Sequence, residues 1–306
     1  MKAVRIHRFG PPEVIVVEDI PRPSPAGGEV LVRVAAAGVG PWDALIREGK
    51  SKVSPQPPMT LGSDLSGVVD AVGPDVTQFA IGDEVYGVTN PQFCGAQAEF
   101  AVALAGMIAP KPPRLNHLEA ASAPVIAVTA WQMLFEYAKA KEGDTILITG
   151  AAGNVGTYAV EMALHAGIRV VAVARPPDYD LLHALGVETI LDSTVAGFET
   201  RLPPVDAVLD TVGGDTVQRC AVAVDPGGRL VSVASMQLPQ KSAMQSVFFY
   251  AEVTTERLHA VTDLFDNCKI SARVGSVLPL AEARRAHQML AGAPHKPGKI
   301  VLELPG

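Results

Sequence analysis

Cysteine is scarce in this sequence, and its scarcity argues against both a disulfide framework and a cysteine-rich zinc site. The chain of 306 residues has three cysteines, Cys94, Cys220 and Cys268. They are odd in number, far apart and without the short paired spacing that a disulfide framework or a cysteine-rich zinc site requires. The seven histidines show no metal-ligand spacing either. We therefore predict free thiols and no bound metal.

Long hydrophobic runs and basic runs are also missing. In the opening stretch MKAVRIHRFGPPEVIVVED, charged residues interrupt every apolar segment, which disfavours a signal peptide or a membrane-spanning helix. Lys and Arg number 25 against 32 Asp and Glu, a net charge of −7, and no basic cluster stands out. The sequence therefore predicts no nucleic acid partner, no membrane partner and a cytoplasmic location.

The predicted pattern of secondary structure changes along the chain. Up to about residue 110, short β-type runs are broken by glycine and proline. After them, β-type runs alternate with helical stretches, namely TILITG, VGTYAVEMALHAG, IRVVAVA, YDLLHALG and ETILD. Such alternation is typical of a parallel sheet covered by helices. The sequence thus predicts a β-rich domain followed by an α/β domain, with the closing strand KIVLEL returning to the first.

A glycine-rich turn opens the α/β part. In ILITGAAGNVGTYAVEMAL, an apolar strand is followed by Gly150, Gly153 and Gly156 and then by a helix that we expect from about Val155 to Gly167. Glycines at this spacing let a pyrophosphate approach the backbone, while amides at the helix N-terminus and the helix dipole favour its negative charge. The turn therefore predicts a dinucleotide site.

Several ordered stretches carry a resemblance to a known family. They are GVGPWDALIREG, LGSDLSGVVDAVG, FAIGDEVYG, GAQAEFAV, ITGAAGNVG, VDAVLDTVGG, DPGGRLVSVAS and PLAEARRAHQMLAG with GKIVLEL. Together the chain resembles the medium-chain dehydrogenase/reductase superfamily, in its zinc-free quinone oxidoreductase (zeta-crystallin-like) branch. The resemblance implies an α/β fold in which a doubly wound Rossmann domain, residues 119–255, is inserted in a GroES-like β-rich domain, residues 1–118 completed by 256–306. The active site would be the cleft between the domains.

The zinc ligands of the superfamily's alcohol dehydrogenases have no counterparts here. Gly40-Pro41-Trp42-Asp43 stands where the first cysteine would be, and Gly62-Ser63-Asp64 stands in place of Gly-His-Glu. A catalytic zinc needs three protein ligands and an open position. Without it no Lewis acid polarises an alcohol, so alcohol dehydrogenase activity is disfavoured.

The cofactor residues come partly from the turn and partly from the resemblance. The turn and the start of its helix supply Gly150, Ala152, Gly153, Asn154 and Val155. By resemblance, a threonine in VTAW would face the nicotinamide, and two loops after later strands would line its ring and ribose, which adds Thr129, Thr211, Val212, Gly213, Val233, Ala234 and Ser235. Ligands bind beyond the carboxyl ends of such strands.

Arg175 favours NADPH as the cofactor. It follows the second strand, IRVVAVA, where NAD-binding folds place an acidic residue on the adenosine ribose. A guanidinium can bind a 2′-phosphate through charge-assisted hydrogen bonds, whereas a carboxylate repels it. The alternative is a solvated arginine, since Asp178 or Asp180 could neutralise it or reach the ribose.

The acceptor and the catalytic residues are less defined by the sequence. A bound nicotinamide suffices to reduce an electron-poor quinone or α,β-unsaturated carbonyl compound. Asp43, Arg47 and Tyr86 are candidate catalytic residues; Asp43 and Arg47 could face each other on a short helix or form a solvated pair, and Tyr86 could be packing. Relatives often have Asn at the position of Gly40 and Tyr at that of Leu45, which removes two donors. A pathway-specific enoyl reductase and a non-catalytic NADPH-binding protein remain alternatives.

We also expect a homodimer, because relatives pair an edge strand of the parallel sheet across a two-fold axis.

Overall fold

The computed structural model describes residues 1–53, 55–241 and 243–305, and the described chain divides into two units. The first unit comprises Met1–Val125, Glu252–Asn267 and Ala272–Gly306, and the second comprises Ile126–Ala251 and Cys268–Ser271. The first boundary therefore lies at residue 125 rather than 118, and the return to the first unit begins at residue 252 rather than 256.

The amino-terminal part of the first unit is built mainly of strands. Its elements are β1 Lys2–Ile6, β2 Ile15–Asp19, β3 Glu29–Val39, α1 Pro41–Arg47, β4 Met59–Thr60, β5 Asp64–Val72, β6 Glu84–Val88, β7 Phe100–Leu104, β8 Ile108–Pro110 and α2 His117–Ser122. The β-type runs of the sequence become these strands, and a glycine or proline follows the end of each strand within four residues. The longest, β3 and β5, have 11 and 9 residues.

Helices and parallel strands then alternate through the second unit. The elements are α3 Pro124–Trp131, a π-helical turn over Gln132–Tyr137, β9 Thr145–Thr149, α4 Asn154–His165, β10 Arg169–Ala174, α5 Tyr179–Ala184, β11 Thr189–Asp192, β12 Val205–Asp210, α6 Gly214–Cys220, β13 Val224–Ser232 and β14 Gln245–Phe248. The strands order as β11-β10-β9-β12-β13-β14, all in parallel pairs. This is the doubly wound Rossmann arrangement, as the sequence predicted.

The chain ends within the first unit. Its last elements are α7 Thr255–Asp266, β15 Val274–Pro279, α8 Ala283–Leu290 and β16 Lys299–Glu303. Strand β16 pairs antiparallel with β3 and parallel with β15, so the order in this sheet is β15-β16-β3-β5-β6-β8, with β7 on β3. The predicted return of KIVLEL is confirmed, and the second unit is an insertion in the first.

Each unit has its own apolar core. In the first, buried side chains of β1, β3, β5 and β6 pack with those of α8 and β16. In the second, buried residues of β9, β10, β12 and β13 pack with α6. Strands β9, β10 and β12 are almost wholly buried because helices and neighbouring strands cover them, which explains their continuous apolar sequence. No described helix is long and apolar enough to cross a membrane.

Candidate functional site

The glycine turn connects the carboxyl end of β9 to the start of α4. Gly150 has a φ of 63°, in the left-handed region, and a Cβ on it would lie 2.5 Å from the Thr211 hydroxyl oxygen. A Cβ on Gly156 would overlap the carbonyl oxygen of Gly150. Gly153 precedes the first helical residue, Asn154. The predicted turn and helix are therefore present, and the close contacts require glycine at positions 150 and 156.

Three polar side chains lie side by side where β9, β12 and β13 end. Thr149, Asp210 and Ser232 are the last residues of these strands and direct cross-strand partners. The hydroxyl of Thr149 donates to Oδ1 of Asp210 at 2.8 Å, and that of Ser232 donates to Oδ2 at 2.6 Å. All three side chains are buried. We call these three residues the carboxylate network.

The carboxylate network holds the two loops that follow β12 and β13. Oδ1 of Asp210 accepts the backbone amides of Val212 at 3.2 Å and Gly213 at 2.9 Å. The hydroxyl oxygen of Ser232 accepts the amides of Ala234 at 3.1 Å and Ser235 at 3.0 Å. The predicted cofactor residues after both strands are thereby fixed at the carboxyl-terminal edge of the sheet, where the parallel strands end, next to the glycine turn.

Thr211 links the loop after β12 to strand β9. Its hydroxyl donates to the carbonyl oxygen of Thr149 at 2.8 Å, and its amide donates to the hydroxyl oxygen of the same residue at 3.2 Å. Val233 follows directly after β13 and its amide donates to the carbonyl oxygen of Asp210 at 3.1 Å. The loops after β12 and β13 are thus held by backbone as well as side-chain contacts.

The remaining predicted cofactor residues lie at the same edge or on α3. Ala152 and Val155 are half-buried members of the glycine turn and of α4. Arg175 follows the last residue of β10; its side chain is 72% exposed, and Nε lies 3.7 Å from a carboxylate oxygen of Asp178. Thr129 lies on α3 and is almost completely buried. The ion pair of Arg175 is long and exposed, so it contributes little stability.

Asp43 is a buried carboxyl group in the first unit. Its Oδ2 accepts the backbone amide of Gly40 at 2.7 Å, and its Oδ1 has no hydrogen-bond partner among the described residues. Burial raises the pKa of Asp43 to about 7, although the Gly40 amide and the ammonium of Lys299 act in the opposite direction. Asp43 therefore holds a proton in the lower part of the neutral pH range.

A buried ammonium group lies close by. Nζ of Lys299, at the start of β16, is 2.7 Å from Oδ2 of Asp64 and 4.0 Å from the ring centroid of Trp42. The other oxygen of Asp64 accepts the backbone amide of Val125 at 3.1 Å. The Trp42 indole N–H donates to the Ser63 hydroxyl at 3.0 Å. Carboxylate and indole thus surround a cation at these positions.

Arg47 does not behave as the sequence suggested. Neither a facing pair with Asp43 nor a solvated one is present, because the Arg47 side chain is buried and directed elsewhere. Its guanidinium donates to the Gly10 carbonyl oxygen at 3.0 Å, to Nδ1 of His287 at 2.8 Å and to Glu48 at 2.7 Å. Burial, with Arg47 alongside, lowers the pKa of His287 to about 3, so the imidazole is neutral and accepts. Arg47 therefore joins α1 to α8.

Tyr86 has a packing role, which the sequence left open as the alternative to a catalytic one. Its side chain is buried, and its hydroxyl donates to the carbonyl oxygen of Leu258 at 2.8 Å and contacts the Thr262 hydroxyl at 2.9 Å. Burial raises the pKa of this phenol. A hydroxyl engaged by α7 in this way fixes the position of that helix.

Sequence reasoning did not identify the carboxylate network or the Lys299–Asp64 pair. The available signal was a polar residue at the end of an otherwise apolar strand, as in ILIT, VDAVLD and RLVS. Such a residue in a buried strand needs a partner. Which residues become partners depends on strand order, which the sequence pattern does not specify.

Comparison with known proteins places the chain in a family. Residues 26–113 match the family model described as the alcohol dehydrogenase GroES-like domain, and residues 185–302 match the one described as zinc-binding dehydrogenase. Quinone oxidoreductase of Mus musculus is 28% identical over 99% of this chain and 98% of its own length. A mycobacterial protein solved in complex with NADPH is 30% identical, with a TM-score of 0.87 over 99% of this chain and 100% of that one.

The solved structure of the quinone oxidoreductase from Coxiella burnetii decides the assignment. It is 32% identical, covers 100% of this chain and 99% of its own, and superposes with a TM-score of 0.92. The chain belongs to the medium-chain dehydrogenase/reductase superfamily, in its quinone oxidoreductase branch. It is accordingly an oxidoreductase of a family that uses a nicotinamide cofactor.

The positions that hold zinc ligands in the superfamily's alcohol dehydrogenases belong, in this chain, to the buried groups around Asp43 and the Lys299–Asp64 pair. By the family resemblance, Trp42 and Asp43 lie where a first cysteine would be, and Ser63 and Asp64 replace the Gly-His-Glu motif. In the described part of the chain, no group of three or more His, Cys, Asp or Glu side chains is arranged to hold a metal. The Asp64 carboxylate is instead paired with Lys299.

The carboxyl-terminal edge of the parallel sheet, where the strands end, fits the superfamily's nicotinamide cofactor. The glycine turn brings backbone amides to the N-terminus of α4, and its third glycine, Gly156, brings the helix against the turn. Gly153 and Val212 are exposed at this edge, so a ligand can reach them. Amides are the donors that a pyrophosphate needs, and the two loops fixed by the carboxylate network lie beyond neighbouring strands, where such ligands bind.

Proposed function

We propose that this protein is a zinc-independent, NADPH-dependent reductase of quinones or related α,β-unsaturated carbonyl compounds. The observation that carries the proposal is the edge of the parallel sheet, where the glycine turn and two fixed loops meet beyond β9, β12 and β13. The fold, the family and this edge together support a dinucleotide site in the second unit.

The residues at this edge have separate tasks in the proposal. The amides of Asn154 and Val155 bind the pyrophosphate. Ala152 and Gly153 lie in the same turn, where the Gly153 amide donates to the Gly150 carbonyl oxygen at 2.9 Å and the missing side chain of Gly153 leaves room for the ligand. The loop after β12 binds the ribose and ring of the nicotinamide together with the loop after β13, through Thr211, Val212, Gly213, Val233, Ala234 and Ser235. Thr129 on α3 contacts the nicotinamide side. The bound nicotinamide supplies a hydride to the acceptor.

NADPH is preferred over NADH because of Arg175. The guanidinium is exposed, and among the described residues it makes one long contact, 3.7 Å to Asp178, so it is available to a 2′-phosphate. The mycobacterial relative was solved with NADPH, which supports the same choice. No Asp or Glu follows β10 directly, where an adenosine ribose would otherwise be recognised.

The acceptor class follows from the relatives and from the zinc-ligand positions. The mouse and Coxiella burnetii relatives are both called quinone oxidoreductases. Quinones and enones accept hydride without a Lewis acid, because the developing negative charge is delocalised over the acceptor. The Asp64–Lys299 pair and the residues Trp42 and Ser63 support zinc-independent chemistry, since they supply no zinc ligand set. Purified protein should contain no stoichiometric zinc, and chelators should leave its activity unchanged.

Stopped-flow oxidation of bound NADPH against a panel of quinones, enones and enoyl thioesters tests the function. Rapid turnover of quinones or simple enones supports the proposal. Turnover of enoyl thioesters alone would replace it with a pathway-specific enoyl reductase. NADPH binding without any turnover would instead make the protein a cofactor-binding protein, and one tightly held zinc ion per chain would contradict the zinc-independent assignment.

A further inference from the structure

The carboxylate network forms a continuous row across three neighbouring strands. Thr149 on β9, Asp210 on β12 and Ser232 on β13 are cross-strand partners, and each is the last residue of its strand. From this row, hydrogen bonds reach the backbone of the following segments, at Thr211, Val212, Gly213, Ala234 and Ser235. One buried carboxylate therefore organises two separate loops.

The direction of the hydrogen bonds depends on the carboxylate. Both oxygens of Asp210 accept, so the hydroxyls of Thr149 and Ser232 must donate to it. Each hydroxyl has a single proton, and its lone pairs are therefore left to accept from the loop amides. Replacing one carboxylate oxygen by an amide NH₂ would put two donors opposite each other. The hydroxyl concerned would then have to turn its proton toward the loop.

We propose that Asp210 is a positioning residue for the nicotinamide half of the cofactor. It holds the loop after β12 directly and through Thr149, and it holds the loop after β13 through Ser232. The adenosine half depends on other contacts, because the proposed residues for it lie in the glycine turn and at Arg175. This inference rests on the proposed cofactor site. It goes beyond that site by assigning the placement of the two nicotinamide loops to a group that does not itself touch the ligand.

Three substitutions disturb the network with little change of shape. They are Asp210→Asn, Thr149→Val and Ser232→Ala, with Thr149→Ser as the conservative variant that restores a hydroxyl. Matched controls lie at the opposite ends of the same strands, where the Asp206 carboxylate accepts the Thr145 amide at 2.8 Å and the Thr145 hydroxyl accepts from Arg169 at 3.0 Å. The controls are Asp206→Asn and Thr145→Val.

Binding of the whole cofactor and of its adenosine half provides the decisive comparison. Dissociation constants for NADPH and for 2′,5′-ADP are measured by titration calorimetry at a temperature where every variant is folded. Each network variant should bind NADPH about 10-fold more weakly. The two loops lose hydrogen bonds that order them in the free protein, so cofactor binding has to order them instead. The affinity for 2′,5′-ADP should change by less than about 2-fold. Thr149→Ser and both controls should resemble the wild type.

Hydrogen exchange of the unliganded protein completes the test. Amides of residues 211–213 and 233–235 should exchange faster in Asp210→Asn and Ser232→Ala than in the controls. Unchanged exchange in these loops, or an equal loss of NADPH and 2′,5′-ADP binding, would overturn the inference. If the wild type binds neither NADPH nor NADH, the proposed function fails and the inference fails with it. If the wild type binds and the network variants do not differ from the controls, the inference alone fails.

Discussion

At the scale of single residues, cofactor choice depends on one exposed guanidinium. Losing a charge-assisted hydrogen bond costs on the order of 1.5 to 3 kcal/mol, so Arg175→Ala should weaken NADPH binding by roughly 10-fold to 100-fold and barely change NADH binding. Fluorescence titration with both cofactors measures this. Arg169→Ala, at the opposite end of β10, is the control and should affect neither. Equal affinity of the wild type for both cofactors, or an equal effect of Arg175→Ala on both, would show that Arg175 does not select NADPH.

Asp43 should make stability depend on pH. Its folded-state pKa of about 7 lies above its ordinary value of 3.8, so its stabilising contribution is complete below about pH 4 and is lost as pH rises through 7. Asp43→Asn removes this dependence. Relative to the wild type, its free energy of unfolding should therefore increase by on the order of 3 kcal/mol between about pH 4.5 and about pH 8.

Urea unfolding at the two pH values measures the Asp43 effect. Asp225→Asn, which removes an exposed carboxylate on β13, serves as the control for the loss of one negative charge. A difference between Asp43→Asn and wild type that stays constant with pH would mean that Asp43 does not titrate differently in the folded state.

At the scale of secondary structure elements, the approach of α4 to the glycine turn depends on Gly156. A methyl group there would overlap the Gly150 carbonyl oxygen, so the helix would have to move. Gly156→Ala should cost about 1 to 3 kcal/mol of stability and weaken dinucleotide binding. Gly106→Ala is the matched control because its added Cβ would meet no atom within 4 Å. Thermal unfolding and NADPH titration compare the two, and equal stability of both variants would contradict the packing argument.

Elements whose signals are local were predictable from sequence. The strand, turn and helix around ILITGAAGNVG follow from apolar spacing and from glycine, all within about 20 residues. Arg47 was mispredicted because its partner His287 lies 240 positions away on α8. Thr149, Asp210 and Ser232 were visible as polar strand ends, but their contact requires the order β9-β12-β13. Long-range pairing is what the local pattern leaves undetermined.

At the scale of the whole molecule, we expect a homodimer formed through the β14 edge of the parallel sheet. Strand β14 pairs only with β13 among the described strands, and the large side chains of Met236 and Tyr250, 61% and 71% exposed, lie in the segments that flank it. Unpaired edges and exposed apolar side chains are usually covered by a partner. Tyr250→Asp should shift the protein toward monomer, whereas Ile81→Asp, at an equally exposed position, should not. Light scattering at micromolar concentration decides, and a monomeric wild type would contradict the expectation.

The pairing of β16 with β3 has a consequence for biosynthesis. On the side of β3 opposite β5, residues 29–33 can pair with β7 early, but residues 36–39 gain their neighbour β16 only about 260 residues later, when Ile300 pairs with Val39. At 5–20 residues per second, the wait is roughly 10 to 50 s, during which this side of the nascent sheet lacks its final partner. The parallel sheet of the second unit draws all its strands from residues 145–248 and has its full complement sooner. On the ribosome, therefore, the inserted unit can mature while the unit around it is still incomplete, and the early strands are the ones that chaperones have most time to bind.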